Sequence, residues 1–325
     1  IDGVGLAPHG LYLDAENKTL YVNNFLSREI TVHDVSDILD GKNLNSFGSR
    51  SVKTVGSEPL QPNILAGKIL FYNAADPRMS NSGYISCASC HIDGDSDGTI
   101  WDFTQRGEGL RRTISLQGRS GASSSGSKLH WTANFDEVHD FEKDIRMEFG
   151  GMGFMSDADY NATIDPLGAK KAGRSQDLDN LAEYVSSLSD FNRSPFRTKE
   201  GCLTKEAIVG KGIFERLKCA SCHGTEPGVS DNKLHDVGTF QPSSGKGSGK
   251  TLVGIDTPTL DGLWESNSFY HNGQARQLSD VFTQDKGNPN LNFSPVHGGA
   301  VAKSEIGPLV AYLNSLDGRD MCNVK

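Results

Sequence analysis

Over the first 57 residues, apolar and polar positions follow a period of two. Leu11-Tyr12-Leu13 and Leu20-Tyr21-Val22 flank a polar turn, Asp14-Ala15-Glu16-Asn17-Lys18. Glu29-Ile30-Thr31-Val32-His33-Asp34-Val35 then alternates as a strand with one wet face does. From about residue 58 the spacing turns helical. Pro62 stands near the start of an apolar run reaching Phe71, and Leu178, Leu181, Ala182, Val185 and Leu188 fall on one face of a helix over 177–188. A Pro-containing linker, Ser194-Pro195-Phe196-Arg197, separates this from a helix over 203–217 that Thr204 is placed to cap. A last helix, 305–316, stops at Asp317-Gly318. Two Gly/Ser-rich stretches, Gln241 to Lys250 and Arg119 to Ser127, read as exposed, mobile loops. Gly245-Lys246-Gly247 has neither the preceding strand nor the spacing of a phosphate-binding loop.

Composition narrows the picture without deciding it. A chain of 325 residues is long enough for two domains or three. The net charge of −9 sets it against a phosphate backbone, so nucleic acid is not expected as the main partner. No run of ~18 apolar residues offers a membrane span. The sequence starts at Ile1-Asp2-Gly3 with no basic and apolar leader, so any export signal is expected to have been removed already.

Chemistry enters with the cysteines. Cys87-Ala88-Ser89-Cys90-His91 and Cys219-Ala220-Ser221-Cys222-His223 each spell C-x-x-C-H, the attachment signature of a c-type haem. Two thiols on one helical turn can each form a thioether, and the next residue brings an imidazole to the iron. A thioredoxin-like reading lacks its βαβ context, and a shared four-cysteine zinc site would leave His91 and His223 unexplained. The expectation is two covalently bound c-type haems. Because helix, C-x-x-C-H, loops and closing helix occur twice, the fold class is mainly α: two tandem cytochrome c-like haem domains, 58–196 and 197–325, behind a short β segment over 1–57.

The β segment resembles one blade of a YVTN-type β-propeller across its first 40 residues. One blade cannot cover both its faces, so the resemblance implies further blades, a partner chain packed on residues 1–57, or packing on the haem domains. An ordinary three-stranded extension is the alternative.

Residues 58–325 resemble the bacterial di-haem cytochrome c peroxidase superfamily, which includes the di-haem enzyme of methylamine utilisation and, more distantly, the di-haem rubber oxygenases. The resemblance is carried by Gly109-Leu110-Arg111-Arg112-Thr113-Ile114-Ser115-Leu116 and His130-Trp131 after the first haem motif. After the second it is carried by Asp256-Thr257-Pro258-Thr259-Leu260-Asp261-Gly262-Leu263-Trp264 and Phe269-Tyr270-His271-Asn272-Gly273. It implies an oxidoreductase, and specifically a peroxidatic N-terminal haem that takes peroxide or dioxygen. The C-terminal haem would transfer electrons from a small redox protein or a quinol-linked donor, with Trp131 between the two. It also implies a periplasmic or extracellular location, where leftover thiols pair. The helices beside Cys202 and Cys322 cross in cytochrome c-like domains, so a Cys202–Cys322 disulfide is expected, with two unpaired cysteines as the alternative. Pure electron transfer with both irons six-coordinate, and an oxygenase acting on an organic substrate, are the rival functions.

The sixth ligands decide among these. No methionine lies between Cys222 and Met321, and His297 sits in the interval where relatives carry one, so His297 is the expected distal ligand, with His271 and His235 as alternatives. No histidine lies between His91 and His130. Either His130 ligates the N-terminal iron, or that site is open with His130 lining it, which is the preferred expectation. Glu148 is the nearest match to the family's proton-moving glutamate, while Met147, Met152 or Met155 could instead cap the iron. Glu137, Asp140, Glu142 and Asp144 read as a solvated helix face. Calcium is a further candidate: Asp93, Asp95 and Asp97 open a D-x-D-x-D-G loop, although Thr104 replaces its closing glutamate and Arg112 replaces the family's asparagine.

Overall fold

The computed structural model describes residues 4–42, 48–118, 128–224, 230–283, 294–299, 301–319 and 322. The Arg119–Ser127 stretch expected as a loop lies outside them.

The period-two region forms an antiparallel meander of β1 (Pro8–Asp14), β2 (Thr19–Asn24), β3 (Glu29–Asp34) and β4 (Ser49–Lys53), in that order, with the short helix α1 (Ser36–Leu39) after β3. The sheet has a fourth strand that a three-stranded reading omits. Its sequence, SRSVK, lies at an edge with every residue exposed, so no alternation betrays it. Register places Leu11, Val22, Thr31 and Ser51 on one face. Asn24 and Thr31 are buried there and share a 3.0 Å hydrogen bond from Nδ2 to Oγ1. The sheet docks through the β2–β3 turn: Phe25 meets the Tyr72 edge at 5.2 Å, and the Lys68 ammonium stands 4.3 Å above its ring. Arg28 pairs with Glu58 at 3.0 Å beside it.

Two helix crossings organise the rest. In the N-terminal cluster, α2 (Pro62–Tyr72) begins with proline, whose fixed φ suits a first turn. It packs on α5 (Gln176–Ser187), whose first turn is capped by the Ser175 hydroxyl, with α3 (Phe141–Met147) and α4 (Asp157–Ala162) between them in sequence. Leu70 and Phe71 meet Leu178, Leu181, Tyr184 and Val185 in one buried cluster. A Cβ on Gly67 would lie 1.8 Å from the Asn180 carbonyl oxygen, so the crossing requires glycine. The C-terminal cluster repeats the arrangement. Here α6 (Lys205–Arg216), capped by the Thr204 Oγ1 as its sequence indicates, leads into α7 (Ala220–His223) and crosses α8 (Ile306–Asn314). Gly210 is the equivalent contact, 1.9 Å from the Pro308 oxygen for an added Cβ. Cys202 and Cys322 are joined in a disulfide with Cα atoms 4.7 Å apart, and the buried Arg197–Asp317 pair at 2.6 Å ties the same two ends. No helix among the described residues is long and apolar enough to cross a membrane.

Three small ladders lie between the clusters: β5 (Ile100–Asp102) with β6 (Leu110–Arg112), β7 (Leu234–His235) with β10 (Ile255–Asp256), and β8 (Lys246–Gly247) with β9 (Lys250–Thr251). The last corrects the expectation of a mobile Gln241–Lys250 loop. The segment is a 3-10 turn followed by a hairpin, and Ser244 is buried. Its anchors are Arg111, whose Nη1 and Nη2 donate to the Ser244 and Lys246 carbonyls at 2.8 and 2.7 Å. Local composition cannot register partners more than a hundred residues away.

Candidate functional site

Around the second C-x-x-C-H motif lies a cavity of about 490 Å³, within the usual span of ligand pockets of ~300–1,000 Å³. Cys219, Cys222, His223, Trp131, Tyr270 and His297 contribute to its wall. The turn at α7 presents both thiols and the imidazole on neighbouring positions, as attachment requires. The His223 and His297 rings have centroids 6.2 Å apart, with their planes tilted by 42°. An iron held between two imidazoles needs two metal–nitrogen bonds of about 2 Å. Ring bonds of about 1.3–1.4 Å add about 1 Å from each nitrogen to its ring centre, giving about 6 Å in all. In both rings Nδ1 is already engaged, with the Pro258 carbonyl at 3.0 Å for His223 and Ser294 Oγ at 3.1 Å for His297, which leaves Nε2 of each for a metal. Burial, reinforced by the His223 charge, pushes His297 down to about 4, so it is the neutral imidazole that can ligate.

The other expected ligands for this site are spoken for. His271 is buried with Nε2 bonded to Ser244 Oγ at 2.8 Å, and His235 Nε2 pairs with Asp231 at 2.7 Å. The Arg112 guanidinium is largely buried against the cavity wall, and no hydrogen bond satisfies its Nε. Burial pushes Arg112 down to about 10, against the pull of Asp95. A buried cation of this kind calls for an anion, and a haem carboxylate supplies one. The residues present therefore fit the group that the motif implies.

Around the first motif, His91 Nδ1 contacts the Asp95 carbonyl at 3.2 Å, and the Ile114 carbonyl also lies within hydrogen-bonding reach of the ring. Burial raises the Cys87 thiol to about 12 and the Cys90 thiol to about 11. Among the described residues no imidazole ring pairs with that of His91 as His297 pairs with His223. Instead His130 stands near enough to feel the His91 charge, walled by Phe135 at 4.5 Å and Phe141 at 5.0 Å. Its Nδ1–H donates to Asn134 Oδ1 at 2.7 Å. Burial, with the Arg106 charge second, pushes it down to about 3, so its Nε2 carries a lone pair at neutral pH.

The adjacent Trp131 turns the other way, toward the second cavity. It is buried, its Nε1–H donates to the Arg112 carbonyl at 2.8 Å, and its own carbonyl accepts from Asp256 N–H at 2.8 Å. The His130-Trp131 dipeptide thus reaches toward both haem motifs.

Several expected roles move. Glu148 follows α3 with its side chain exposed, and its charge acts on Asp144. That helix buries two carboxylates, Glu142 and Asp144, and Asp144 lies 2.5 Å from Arg106 and is raised to about 6 because burial outweighs the arginine's attraction. Met147 and Met152 are exposed, and Met155 is buried in the α2–α5 core. The acidic run read as a solvated face is instead internal. Asp140 pairs with fully buried Lys171 at 2.6 Å, and Glu142 takes Arg146 Nε at 2.7 Å and the Phe154 and Met155 amides. The partners of Asp140 and Asp144, Lys171 and Arg106, arrive from distant segments, and for this reason the helical pattern mistakes these carboxylates for surface. Calcium finds no cage at Asp93, Asp95 and Asp97. Asp97 already accepts from Thr99 N–H and Trp101 Nε1–H, Asp93 accepts from Tyr72 Oη, and the three are not among the convergent acidic groups of the described residues. Arg106 and Asp144 are the residues that sequence reasoning missed, and nothing in their local spacing could have paired them.

No family model matches the chain. It is 28% identical over 291 residues to hydrazine synthase subunit gamma of Kuenenia stuttgartiensis, covering 77% of this chain and 76% of that protein. It is 26% identical over 304 residues to the methylamine utilization protein MauG of Methylorubrum extorquens, covering 82% and 81%. Cytochrome c551 peroxidase of Nitrosomonas europaea is 22% identical over 287 residues, covering 78% and 79%. Among solved structures, K. stuttgartiensis hydrazine synthase superposes with a TM-score of 0.57 at 27% identity, covering 80% of this chain and 89% of the other. The fold of the diheme peroxidase BthA from Burkholderia thailandensis matches at 0.52 and 16% identity, covering 80% and 86%. These likenesses support a di-haem, peroxidase-like oxidoreductase. They cover most of the chain, yet none speaks for a propeller at its N-terminus.

Proposed function

We infer that this protein is a periplasmic or extracellular di-haem c-type oxidoreductase that reduces hydrogen peroxide, or uses it to oxidise a partner, at its N-terminal site. The observation that carries the reading is the asymmetry between the two motifs. His223 has a second imidazole at iron-spanning distance, whereas His130, which feels the His91 charge, is held by an asparagine and two phenylalanines. Covalently bound haem would supply electron transfer at the first arrangement and peroxide reduction at the second. His223 and His297 would hold one iron and His91 the other, with Arg112 against a haem carboxylate. His130 Nε2 accepts the proton that a peroxide must give up, the role expected of Glu148 from sequence. Arg106 holds positive charge beside it, and the aromatic walls exclude water. Trp131, between the two sites, suits passage of charge from a small redox protein or quinol-linked donor.

Electron paramagnetic resonance of the oxidised holoprotein tests this. One low-spin bis-imidazole signal and one high-spin signal are expected, with peroxide consumed when a reduced donor is added. Two low-spin signals indifferent to peroxide would make the protein an electron carrier instead. A second reading draws on the likeness to hydrazine synthase subunit gamma over three quarters of both chains. There the chain would be one subunit of an assembly acting on a small nitrogen compound, and such compounds belong in the same turnover assay.

A further inference from the structure

The hairpin β8–β9 belongs to the C-terminal cluster in sequence and to the N-terminal site in space. Its two turn residues, Ser248 and Gly249, have φ of +50° and +78°, the left-handed pair that a tight two-residue hairpin turn demands. That turn is pressed against the segment following β5. Gly249 N–H donates to the Gly107 carbonyl at 2.7 Å, Lys246 N–H to the Glu108 carbonyl at 3.2 Å, and Ser248 N–H to Glu108 Oε1 at 2.9 Å. Glu108 is buried and is itself held by Arg111 at 2.8 Å and by Thr132 Oγ1 at 3.1 Å. With its base bonded to Arg111 as well, the strap has little freedom to lift.

Fixed in this way, the turn offers one side chain to the His130 neighbourhood. Asn134 Nδ2 donates to Ser248 Oγ at 3.1 Å, and that commits the other end of the amide. Its Oδ1 faces His130 Nδ1 at 2.7 Å, and an amide oxygen can only accept. His130 must therefore carry its proton on Nδ1 and its lone pair on Nε2. His130 itself sits at φ +67°, a backbone conformation that an L-residue adopts only when its surroundings hold it there. At its other end the strap engages the second cavity, because Ser244 Oγ bonds His271 Nε2 at 2.8 Å and the His271 carbonyl accepts from Arg112 N–H at 2.7 Å.

We propose that Asn134 and Ser248 are positioning residues through which the C-terminal cluster fixes the tautomer and aim of His130 at the N-terminal site. The chain of contacts runs from hairpin turn to amide to imidazole, and it leaves Nε2 free to take a proton from peroxide. This rests on the reading of His130 given under Proposed function. It adds that the N-terminal site is completed by a side chain more than a hundred residues away, from the opposite cluster.

The test uses the haem-loaded protein with five variants: Asn134→Leu, Asn134→Ala, Asn134→Asp, Ser248→Ala and His130→Ala. Outer partners of a metal-ligating histidine typically cost about 10–100-fold when removed, and a loss of the same order in kcat/KM for peroxide is expected of Asn134→Leu and Asn134→Ala. The same variants should shift the N-terminal high-spin resonance and leave the His223–His297 low-spin signal as it was. Asn134→Asp keeps an acceptor for Nδ1–H and should restore the resonance and most of the turnover. Ser248→Ala should reproduce part of the Asn134→Ala shift. A wild-type resonance and wild-type turnover in Asn134→Leu, alongside a changed resonance in His130→Ala, would overturn the positioning claim alone. If His130→Ala is silent in both readouts, the underlying role of His130 fails and the proposal falls with it.

Discussion

His297 and Asp144 show how much a single side chain decides here. His297 is aimed by its Nδ1 contact with Ser294, whose hydroxyl also donates to the Val237 carbonyl at 2.6 Å. On the proposed ligation, replacing it with methionine would exchange an imidazole for a thioether, so the potential of the C-terminal haem should rise and the bis-imidazole resonance should vanish, as a redox titration followed by resonance would register. Asp144 bears on stability. Its folded pKa, about 6, lies above the 3.8 of the free side chain, so the native state binds its proton more tightly. That contribution is complete below about pH 4 and is lost as pH rises through 6, to the extent of roughly 1–3 kcal/mol. Relative to Asp144→Asn, which cannot ionise, the wild type should lose stability between pH 4 and 6 and then level off. Thermal unfolding across that window checks the sign. A difference growing with pH would mean that the Arg106 pair outweighs burial.

At the scale of elements, the two helix crossings share one device. Gly67 and Gly210 each let a backbone carbonyl of the partner helix approach to where a Cβ would stand, so α2 meets α5 and α6 meets α8 at close range. Gly67→Ala and Gly210→Ala should each push a pair apart, costing about 1–3 kcal/mol by overpacking, and denaturant unfolding should report it. Because the C-x-x-C-H turns follow α2 and α6, each variant should also lower haem content at its own motif, as mass analysis would show. The β sheet behaves differently, being joined to the remainder chiefly through Phe25, Lys68 and the Arg28–Glu58 pair. On its outer strand Leu11, Tyr12 and Leu13 stay exposed.

For the whole molecule, the covalent tie between Cys202 and Cys322 spans 120 residues and encloses the entire C-terminal cluster. Closing a loop of that order in the unfolded chain is worth about 4–5 kcal/mol in the entropic account. Reduction should lower the thermal midpoint of the C-terminal cluster while the N-terminal resonance persists at moderate temperature. A midpoint indifferent to reductant would mean that the Arg197–Asp317 pair alone holds those ends. Ties between the two clusters include polar ones, Arg111 to the strap, Asp256 to Trp131, and Asn267 Nδ2 to the Gly98 carbonyl, and the Ile100 side chain packs against Gly273.

The C-x-x-C-H turns, the helices and the Thr204 cap were legible in the amino-acid order, because each depends on neighbours within a turn, whereas the Cys202–Cys322 pairing was expected only through the resemblance to cytochrome c-like domains. His297 was singled out in another way, through the missing methionine, and the structure sets its ring 6.2 Å from that of His223. The fourth strand, the buried acidic run and the pinned strap were not legible, because edge strands carry no alternation and because Lys171, Arg106 and Arg111 arrive from remote segments. The same holds for Glu148 and the calcium-like loop: their residue types suited the chemistry, but Glu148 is exposed, and Asp93 and Asp97 spend oxygens on hydrogen bonds to Tyr72, Thr99 and Trp101. Local order thus determined which groups the chain could bind, while long-range packing alone decided which side chains would face them.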